Sequence, residues 1–411
     1  MPKQPFEGIR ICDLSQNWSG PYCTAYLGGL GAEVIKIESI QHPDSFRFGN
    51  LVSELWWEVY APWNCTNLNK YGITLDMNDT RGKDLFKKLV KVSDVVIENF
   101  SSRVMENFGL TYPVLKELKN DIIMVSLQGY GQSGPWRDYA SFGIAFEQSS
   151  GMAYLTGYED GSPQNLGGSA DVIAGTHAAF AIQAALEYRR RTGKGQFIEI
   201  AQAELLTRLL GVPLIDYSLN KRLWGRQGNR HPFMAPHCVY RCKGEDMWVV
   251  ISISSDKEWG AFCQAIGKPE LAQDDRFSTF TNRWSNQDAL DKLIEAWTVE
   301  HDRYDAMTIL QKAGVAAGAV TIADKLQHEP QIKDRGFYQE VTRDIIGTQI
   351  YPRWPIRFTE TDIKMRPAPK LGEHNNYVMG TILGLSKPEI EELEKNQIIG
   401  TTPLGVVVRG L

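Results

Sequence analysis

Apolar residues follow two different periods along the first 130 residues of the chain. Short apolar runs with the character of strands fall at 8–14, 32–38, 73–75, 94–98 and 122–127. Between them lie segments whose apolar residues recur every three or four positions, at 22–30, 80–92 and 102–108. This second spacing is typical of helices packed on one face. Strands that alternate with helices predict a parallel α/β sheet of the doubly wound kind.

The pattern changes after residue 205. A polar, glycine-bearing stretch at 223–232 leads into a hairpin pattern, with helical segments behind it at 259–266, 287–298 and 303–313. We therefore predict a smaller α+β domain inserted into the chain. Further on, strands are predicted at 338–341 and 349–351, and a closing helix at 387–396; no element is assigned to 400–411.

Composition excludes several classes of function. The 411 residues carry a net charge of −5 without a long basic stripe, so nucleic acid is not an expected partner. The N-terminus lacks a signal-peptide core, and no apolar run reaches the length of a membrane span. Six scattered cysteines predict reduced thiols in a cytoplasmic protein. His237, Cys238 and Cys242 form one short cluster, whereas a structural zinc site needs two, so we predict no metal.

One carboxylate, Asp171, has the surroundings of a reactive group. Small residues at 167–170 precede it, and an apolar helical pattern at 174–188 follows, ending in three arginines and Gly193. Basic residues followed by glycine are typical of a helix end, so Asp171 is expected at or just before the helix N-terminus. There the helix dipole favours an ionised carboxylate, which suits a nucleophile. The alternative is an ordinary N-cap aspartate.

A glycine-rich segment at 28–31 raises the question of a dinucleotide site. It ends a predicted helix and precedes a strand, whereas a dinucleotide fingerprint ends a strand and opens a helix. NAD binding is therefore not predicted.

Six segments in order resemble one family, the class III CoA-transferases (the formyl-CoA/carnitine-CoA transferase family). The first is the strand–turn–helix–strand opening at 8–38, and the last is Leu-Gly-Glu-His at 371–374. Between them lie Asn-Leu-Asn-Lys with the strand that follows it, a strand ending in Glu-Asn-Phe, a Gly-Tyr-Gly…Gly-Pro loop and Gly-Asn-Arg-His-Pro, at 67–76, 95–100, 126–135 and 228–232. The matches extend to about residue 396, nearly the whole chain.

The resemblance implies a fold and an assembly. Each subunit is expected to be an open ring with a Rossmann-like large domain and a small α+β domain, and two rings would interlock in a dimer. The large domain would hold 1–205 and 345–411 and the small domain 225–325, with linkers at 206–224 and 326–344. The dimer would contain two identical chains or this chain and a related subunit.

The resemblance also implies a site. Asp171 would be the nucleophile that exchanges acyl and CoA groups. CoA, as a thioester substrate rather than a resident cofactor, would be bound by five residues: Lys70 and Arg103 at its phosphates, Asn99 and Phe100 after a strand end, and Leu68. A second set would form the substrate pocket and the lid over it: Trp18, Phe142, Gly228, Asn229, Arg230 and His231. Glu147 is a further possible substrate contact.

The sequence departs from the family pattern at three positions. Trp18 stands where Gln or Leu is common, Ser39 where a basic residue often follows the second strand, and Gly143 where an acidic residue is frequent. Gly143 therefore predicts the loss of one supporting contact.

Two other functions stay open. A 2-methylacyl-CoA racemase would need a histidine near 142–143 as a base, and none stands there. A non-catalytic subunit of a hetero-oligomer is argued against by the presence of Asp171. For the transferase, the donor is expected to be succinyl-CoA and the acceptor an aromatic or branched dicarboxylate such as benzylsuccinate, because five tryptophans stand near the predicted site: Trp18, Trp56, Trp57, Trp63 and Trp136. No metal, nucleotide cofactor or prosthetic group is expected.

Overall fold

The computed structural model describes residues 4–49 and 54–405, and these fall into two compact units. The first unit comprises the chain up to 152 together with 165–220 and the part from 334 onward; the second comprises 153–164 and 221–333. These units are defined by contacts alone. The domain limits expected near 205, 225, 325 and 344 stay a prediction.

A six-stranded parallel sheet forms the centre of the first unit. Its strands are β1 (Arg10–Asp13), β2 (Glu33–Glu38), β3 (Lys70–Thr74), β4 (Val95–Glu98), β5 (Ile123–Gln128) and β6 (Phe197–Ala201). Their order across the sheet is β3-β2-β1-β4-β5-β6. This is the doubly wound order, in which the strand sequence reverses beside β1. The predicted α/β class is confirmed, whereas the strand β6 was not among the predicted strands.

Helices cover both faces of this sheet or lead away from it. They are α1 (Ser19–Gly29), α2 (Trp56–Val59), α3 (Ala61–Thr66), α4 (Thr80–Lys91), α5 (Arg103–Phe108), α6 (Tyr112–Leu118), α7 (Gly143–Ser149), α8 (Met152–Leu155), α9 (Ser169–Thr192), α10 (Gln202–Leu209) and α11 (Gly211–Asn220). The end of α9 is as predicted, because Gly193 adopts a left-handed φ of 70° after three arginines. Its start at Ser169 is five residues earlier than the apolar pattern indicated.

Alternate residues of the buried strands supply two cores. On one face, Ile11, Val95 and Val125 pack with residues of α1 and α9; on the other, Ile35 and Val96 pack with α4 and α6. Strands buried on both faces read as continuous apolar runs, which is the pattern seen in the sequence.

The glycines of the rejected dinucleotide motif have a packing role. Gly28 and Gly29 lie at the end of α1, and a Cβ on Gly28 would stand 2.7 Å from the carbonyl oxygen of Asn69. The absence of side chains allows the end of α1 to lie against the segment that leads into β3.

The second unit is built on a three-stranded antiparallel sheet of β7 (His237–Arg241), β8 (Trp248–Ser252) and β9 (Ala316–Ala319). Its helices are α12 (Asp256–Ala265), α13 (Phe280–Ser285), α14 (Gln287–Thr298) and α15 (Arg303–Lys312), followed by α16 (Pro330–Asp334). A single apolar core joins this sheet to α12, α14 and α15. This is the α+β architecture expected from the pattern.

The last part of the chain returns to the first unit as a hairpin of β10 (Tyr338–Arg343) and β11 (Gly347–Pro352) and, later, α17 (Lys387–Lys395). The Leu-Gly-Glu-His segment lies along the edge strand β3. The Gly72 N–H donates to His374 Nδ1 at 3.1 Å, and the His374 N–H donates to the Gly72 carbonyl at 2.9 Å. The motif thus covers a sheet edge that would otherwise expose unpaired backbone groups. Of the segment 400–411, residues 406–411 lie outside the described residues.

Candidate active site

Asp171 is the third residue of α9, and two glycines precede this helix. Gly167 and Gly168 both have left-handed backbones, with φ of 71° and 84°. A Cβ on Gly168 would also stand 3.0 Å from the ring of Trp18. Glycine is required at 168 both because the backbone is left-handed and because a side chain would collide with Trp18. Gly168 is the N-cap residue and makes no side-chain cap, so Asp171 is not an N-cap aspartate.

The carboxylate of Asp171 faces the start of another helix. Ser19, the first residue of α1, lies beside it, and its backbone N–H and hydroxyl favour the ionised form of Asp171. Asn99, which follows β4, donates to the Ser19 hydroxyl at 3.2 Å and to the Gln16 carbonyl at 2.7 Å. Two helix starts and a strand end therefore meet at Asp171.

The close packing of α1 and α9 depends on a glycine in the second turn of α9. A Cβ on Gly175 would stand 2.5 Å from the Ser19 carbonyl oxygen. The two helices can therefore approach closely enough for the start of α1 to reach Asp171.

The pKa of Asp171 is raised to about 6: burial raises it most, the polar groups of Ser19 oppose the rise, and the nearby charge of Glu147 adds to it. Burial disfavours the charged carboxylate, and a second negative charge adds to this effect. Asp171 is therefore ionised above pH 7 but less well solvated than a surface aspartate, which suits a nucleophile.

Gly143 makes room for the Asp171 carboxylate. A Cβ on Gly143 would stand 2.7 Å from Asp171 Oδ2, closer than real carbon atoms come. The sequence comparison treated this glycine as the loss of an acidic neighbour. In the structure it leaves space on that side of the carboxylate. The neighbouring Phe142 is 71% exposed and lines the same cavity.

A cavity of about 580 Å³ lies beside Asp171 within the first unit. Seven of its lining residues are aromatic: Trp18, Phe46, Phe100, Tyr130, Tyr139, Phe142 and Phe146. Asn99, Gln128 and Gln202 add amides. Of the residues described, Arg137 is the one cationic residue in this lining, and it contains no histidine that could serve a racemase.

The tryptophans expected near the site are mostly elsewhere. Only Trp18 of the five lines the cavity. Trp63 is fully buried, and the Arg47 guanidinium stacks on its ring at 3.4 Å. Trp136 packs edge-on against Tyr130, whose ring centroid is 5.5 Å away.

Two of the residues expected to bind CoA are buried in the fold. Lys70 Nζ lies 3.0 Å from Asp13 Oδ2 and 2.9 Å from Asn67 Oδ1, and Lys70 is only 4% exposed. Burial lowers its pKa to about 8 despite the pairing with Asp13. Leu68 packs in a small cluster that includes Val341. The structure thus does not bring either residue to the Asp171 cavity.

Arg103 lies at the surface close to the cavity. Its guanidinium makes a two-point pair with Asp138, at 2.9 and 2.7 Å, and both side chains are exposed. Its neighbour Ser102 lines the cavity, as do Asn99 and Phe100. Arg103 therefore stands where it could contact a negatively charged part of a ligand that extends out of the cavity.

The four residues expected in the lid belong to the second unit. The Gly228 N–H donates to the Gly157 carbonyl at 2.8 Å, and Asn229 Nδ2 donates to the Tyr158 hydroxyl at 3.0 Å. Arg230 pairs with Asp288 and Asp291 at 2.7 and 2.6 Å, and the His231 ring centroid lies 5.0 Å from that of His237. All four line a cavity within that unit.

The sequence did not single out Ser19 or Arg137 as residues of the site. Ser19 sits two residues after Asn17, whose left-handed φ of 62° shapes the turn, and the polar residues of that turn were the available signal. Arg137 follows the Gly-Pro loop at 134–135, where a lone arginine gives no signal of its own. The loss of a supporting contact at Gly143 stays a prediction, and the structure adds that this glycine lies against the Asp171 carboxylate.

Neither a membrane-spanning helix nor a metal-binding cluster is present within residues 4–49 and 54–405. No helix there is long and apolar enough to cross a membrane, and no group of three or more His, Cys, Asp or Glu is placed to hold a metal ion.

The fold and the cavity define a doubly wound α/β protein in which a helix-start carboxylate faces an aromatic cavity. The family follows from comparison with known proteins: the sequence model of CoA-transferase family III matches residues 6–375. The chain belongs to this family and is a CoA-transferase, which confirms the resemblance seen in the sequence.

Individual relatives cover the chain from end to end. It is 33% identical over 407 residues to a succinyl-CoA–D-citramalate CoA-transferase of Chloroflexus aurantiacus, covering 97% of this chain and 99% of the relative. It is 31% identical to a succinate–glutarate CoA-transferase of Agrobacterium fabrum, over 92% and 96% of the two chains. A crystal structure of a CAIB/BAIF family protein from Brucella suis matches with a TM-score of 0.84 and 32% identity, over 93% and 100%.

Proposed function

We propose that this enzyme moves CoA from an acyl-CoA donor to a carboxylic acid through covalent intermediates on Asp171. The observation that carries the proposal is the setting of Asp171: a partly desolvated carboxylate, held by Ser19, facing an aromatic cavity large enough for part of a thioester substrate. A carboxylate nucleophile splits the exchange into steps that each pass through an activated acyl group.

The proposed steps balance as follows. An oxygen of Asp171 attacks the thioester carbonyl, and the CoA thiolate leaves with the bonding pair of electrons, which gives a mixed anhydride. The thiolate then attacks the Asp171 carbonyl carbon, so that the donor acid leaves and an aspartyl-CoA thioester remains. The acceptor carboxylate attacks this thioester and releases the thiolate. The thiolate finally attacks the acceptor acyl carbon, which forms the new acyl-CoA and regenerates Asp171.

For the substrates, we propose succinyl-CoA as donor and a dicarboxylic acid as acceptor. The names of both relatives above pair succinate or succinyl-CoA with a second dicarboxylic acid. Arg137 would bind the carboxylate that does not react, because it is the cation in the described lining and its buried Nε has no hydrogen-bond partner there, although its Nη2 pairs with Glu106. The aromatic lining favours a branched or aryl-bearing acid, and benzylsuccinate is the bulkier candidate.

For CoA itself, we propose contacts from Asn99 and Phe100 to the pantetheine arm or adenine, and from Arg103 to the phosphates. The first two line the cavity and the third stands beside it. The buried pairing of Lys70 argues for a role in the fold instead. CoA would act as a substrate, with no resident cofactor. The cytoplasmic location expected from the cysteines is part of this proposal.

We also propose a dimer of interlocked subunits, formed with a second copy or a related chain. Helix α11 has no buried residue and exposes Val212, Leu214, Ile215 and Leu219. A helix of this composition is normally covered by another surface. In the dimer, Gly228 to His231 would act as the lid that excludes water from the anhydride.

The test is trapping of the acyl-aspartate. The protein is incubated with succinyl-CoA and hydroxylamine, and its mass and peptides are measured beside Asp171→Asn. Asp84→Asn, a change of the same kind at an exposed site, is the control. A hydroxamate on Asp171 in the wild type and in Asp84→Asn supports the proposal. No adduct with a panel of acyl-CoA donors would contradict it.

The acceptor is then identified by rates of exchange. Succinate, glutarate, citramalate, benzylsuccinate and oxalate are compared with succinyl-CoA as the donor, in the wild type and in Arg137→Met. We expect dicarboxylates longer than oxalate to be preferred, and the KM for the acid to rise on loss of Arg137. If oxalate is the best acceptor, or if Arg137→Met leaves that KM unchanged, the substrate assignment is wrong.

A further inference from the structure

Glu147 of α7 is fully buried, and its carboxylate is bonded to the loop that carries the nucleophile. Glu147 Oε2 accepts from the Leu166 N–H at 3.0 Å, and Oε1 accepts from the Gly168 N–H at 3.0 Å and from the Ser169 hydroxyl at 3.2 Å. These donors occupy the residues immediately before Asp171. Glu147 is therefore enclosed by this loop, which argues against the substrate contact considered from the sequence.

A carboxylate from another element is needed at this place. The first N–H groups of a helix have no partner within it, and the N-cap of α9 is Gly168, which has no side chain to supply one. Glu147 supplies an acceptor from α7 instead, because its Oε1 accepts from the Ala170 N–H of the first turn at 3.5 Å. A carboxylate accepts hydrogen bonds at both oxygens, whereas an amide would present a donor at one of them.

We propose that Glu147 is a positioning residue: by holding the loop of Leu166 to Ser169, it fixes Asp171 in the geometry required for attack on the thioester. This inference rests on the proposed role of Asp171. Glu147 does not touch the substrate. Its charge has a second effect, because it raises the pKa of Asp171, whereas Ser19 and Gly143 beside the same carboxylate are uncharged and the cation of the cavity lining is Arg137.

The two effects can be separated with two variants. Glu147→Gln removes the charge and one acceptor, whereas Glu147→Asp keeps the charge but shortens the side chain by one methylene. Glu58→Gln is the control, because Glu58 is also a buried carboxylate that accepts a backbone N–H, from Leu371, at a place outside the Asp171 cavity; unlike Glu147, it also pairs with two buried arginines, Arg47 and Arg343. Circular dichroism and unfolding curves establish that each variant folds.

We expect kcat to fall on the order of a hundredfold in both Glu147 variants, with a smaller change in KM, because small displacements of a reacting group are costly. In Glu147→Gln the acidic limb of the kcat/KM profile should move to lower pH, since the negative charge that raises the pKa of Asp171 is gone. In Glu147→Asp the limb should stay near its wild-type position. Glu58→Gln should lower stability and leave the limb where it is.

A measurement that needs no catalytic turnover tests this inference separately from the proposed function. Carbodiimide labelling of Asp171, followed by peptide mass spectrometry, reports its protonation in the free protein. The pH dependence of labelling should move to lower pH in Glu147→Gln even if the enzyme proves to act by another mechanism. Unchanged labelling, or Glu147 variants that lose stability but keep the wild-type kcat and pH profile, would overturn the positioning role.

Discussion

Replacing Asp171 with asparagine should abolish activity and, at the same time, stabilise the fold. Asparagine keeps the size of the side chain and one oxygen to accept the Ser19 hydrogen bonds, but it carries no charge. A charged group that is kept in a buried place because catalysis needs it there lowers the stability of the protein. Its neutral analogue should therefore raise the stability.

The magnitude follows from the pKa of Asp171. Its value is about 6 in the folded protein against an ordinary value of 3.8. Each unit corresponds to about 1.4 kcal/mol, so the ionised carboxylate costs up to about 3 kcal/mol at pH 8. Asp171 is partly exposed, and solvent screening reduces this to about 2 kcal/mol.

The pH dependence gives the prediction its sign. The pKa is higher in the folded state, so the folded protein binds the proton more tightly than the unfolded chain does. The cost is absent at a pH below the ordinary value, grows as the pH rises, and is complete above about 6. At pH 5 about half of it is present.

The assay is urea unfolding of wild type and Asp171→Asn at pH 8 and pH 5, with Asp84→Asn as a surface control. The variant should be more stable by about 2 kcal/mol at pH 8 and by about half as much at pH 5. The control should show no such dependence. A destabilised variant at pH 8, or an equal difference at both values, would refute the claim that burial of the charge is what raises the pKa.

Three further substitutions test other parts of the site. Gly143→Ala should lower kcat by about tenfold to a hundredfold with little change in stability, because its Cβ would stand 2.7 Å from Asp171 Oδ2; wild-type kcat would contradict this. Lys70→Met leaves Asp13 buried without its partner and should cost about 3–5 kcal/mol in unfolding free energy, with the KM for the acyl-CoA unchanged; a raised KM in folded protein would restore Lys70 to the CoA site. Arg103→Ala should raise that KM about threefold to tenfold at low salt, an effect that shrinks as ionic strength rises, and a salt-independent change would argue against a phosphate contact.

The sequence was sufficient for features that depend on neighbours along the chain. In β4, Val95, Val96 and Ile97 are buried on both faces of the sheet and form a continuous apolar run, which distinguishes such strands from the helices. The end of α9 was readable because arginines and Gly193 satisfy the last carbonyl groups locally. The position of Asp171 in a helix start followed from the same kind of signal.

Contacts between distant segments decided the rest of the site. A lysine in the sequence suggests a surface charge, yet Lys70 is enclosed because Asp13, 57 residues away, reaches it. The strand β6 was not predicted, and its place in the sheet comes from its pairing with β5, which lies far from it in the chain. Neither outcome is encoded in a window of a few residues.

By itself, then, the sequence determined the doubly wound α/β class, the second α+β unit and the location of one carboxylate at a helix start, because local periodicity and helix-end chemistry depend on nearby residues. Only the tertiary structure decided what surrounds that carboxylate. Ser19 and Glu147 come from helices that are far from it in the chain, and Gly143 contributes by leaving space. A pKa shift and an open approach to a nucleophile depend on distances across the fold, and those arise only when the elements pack.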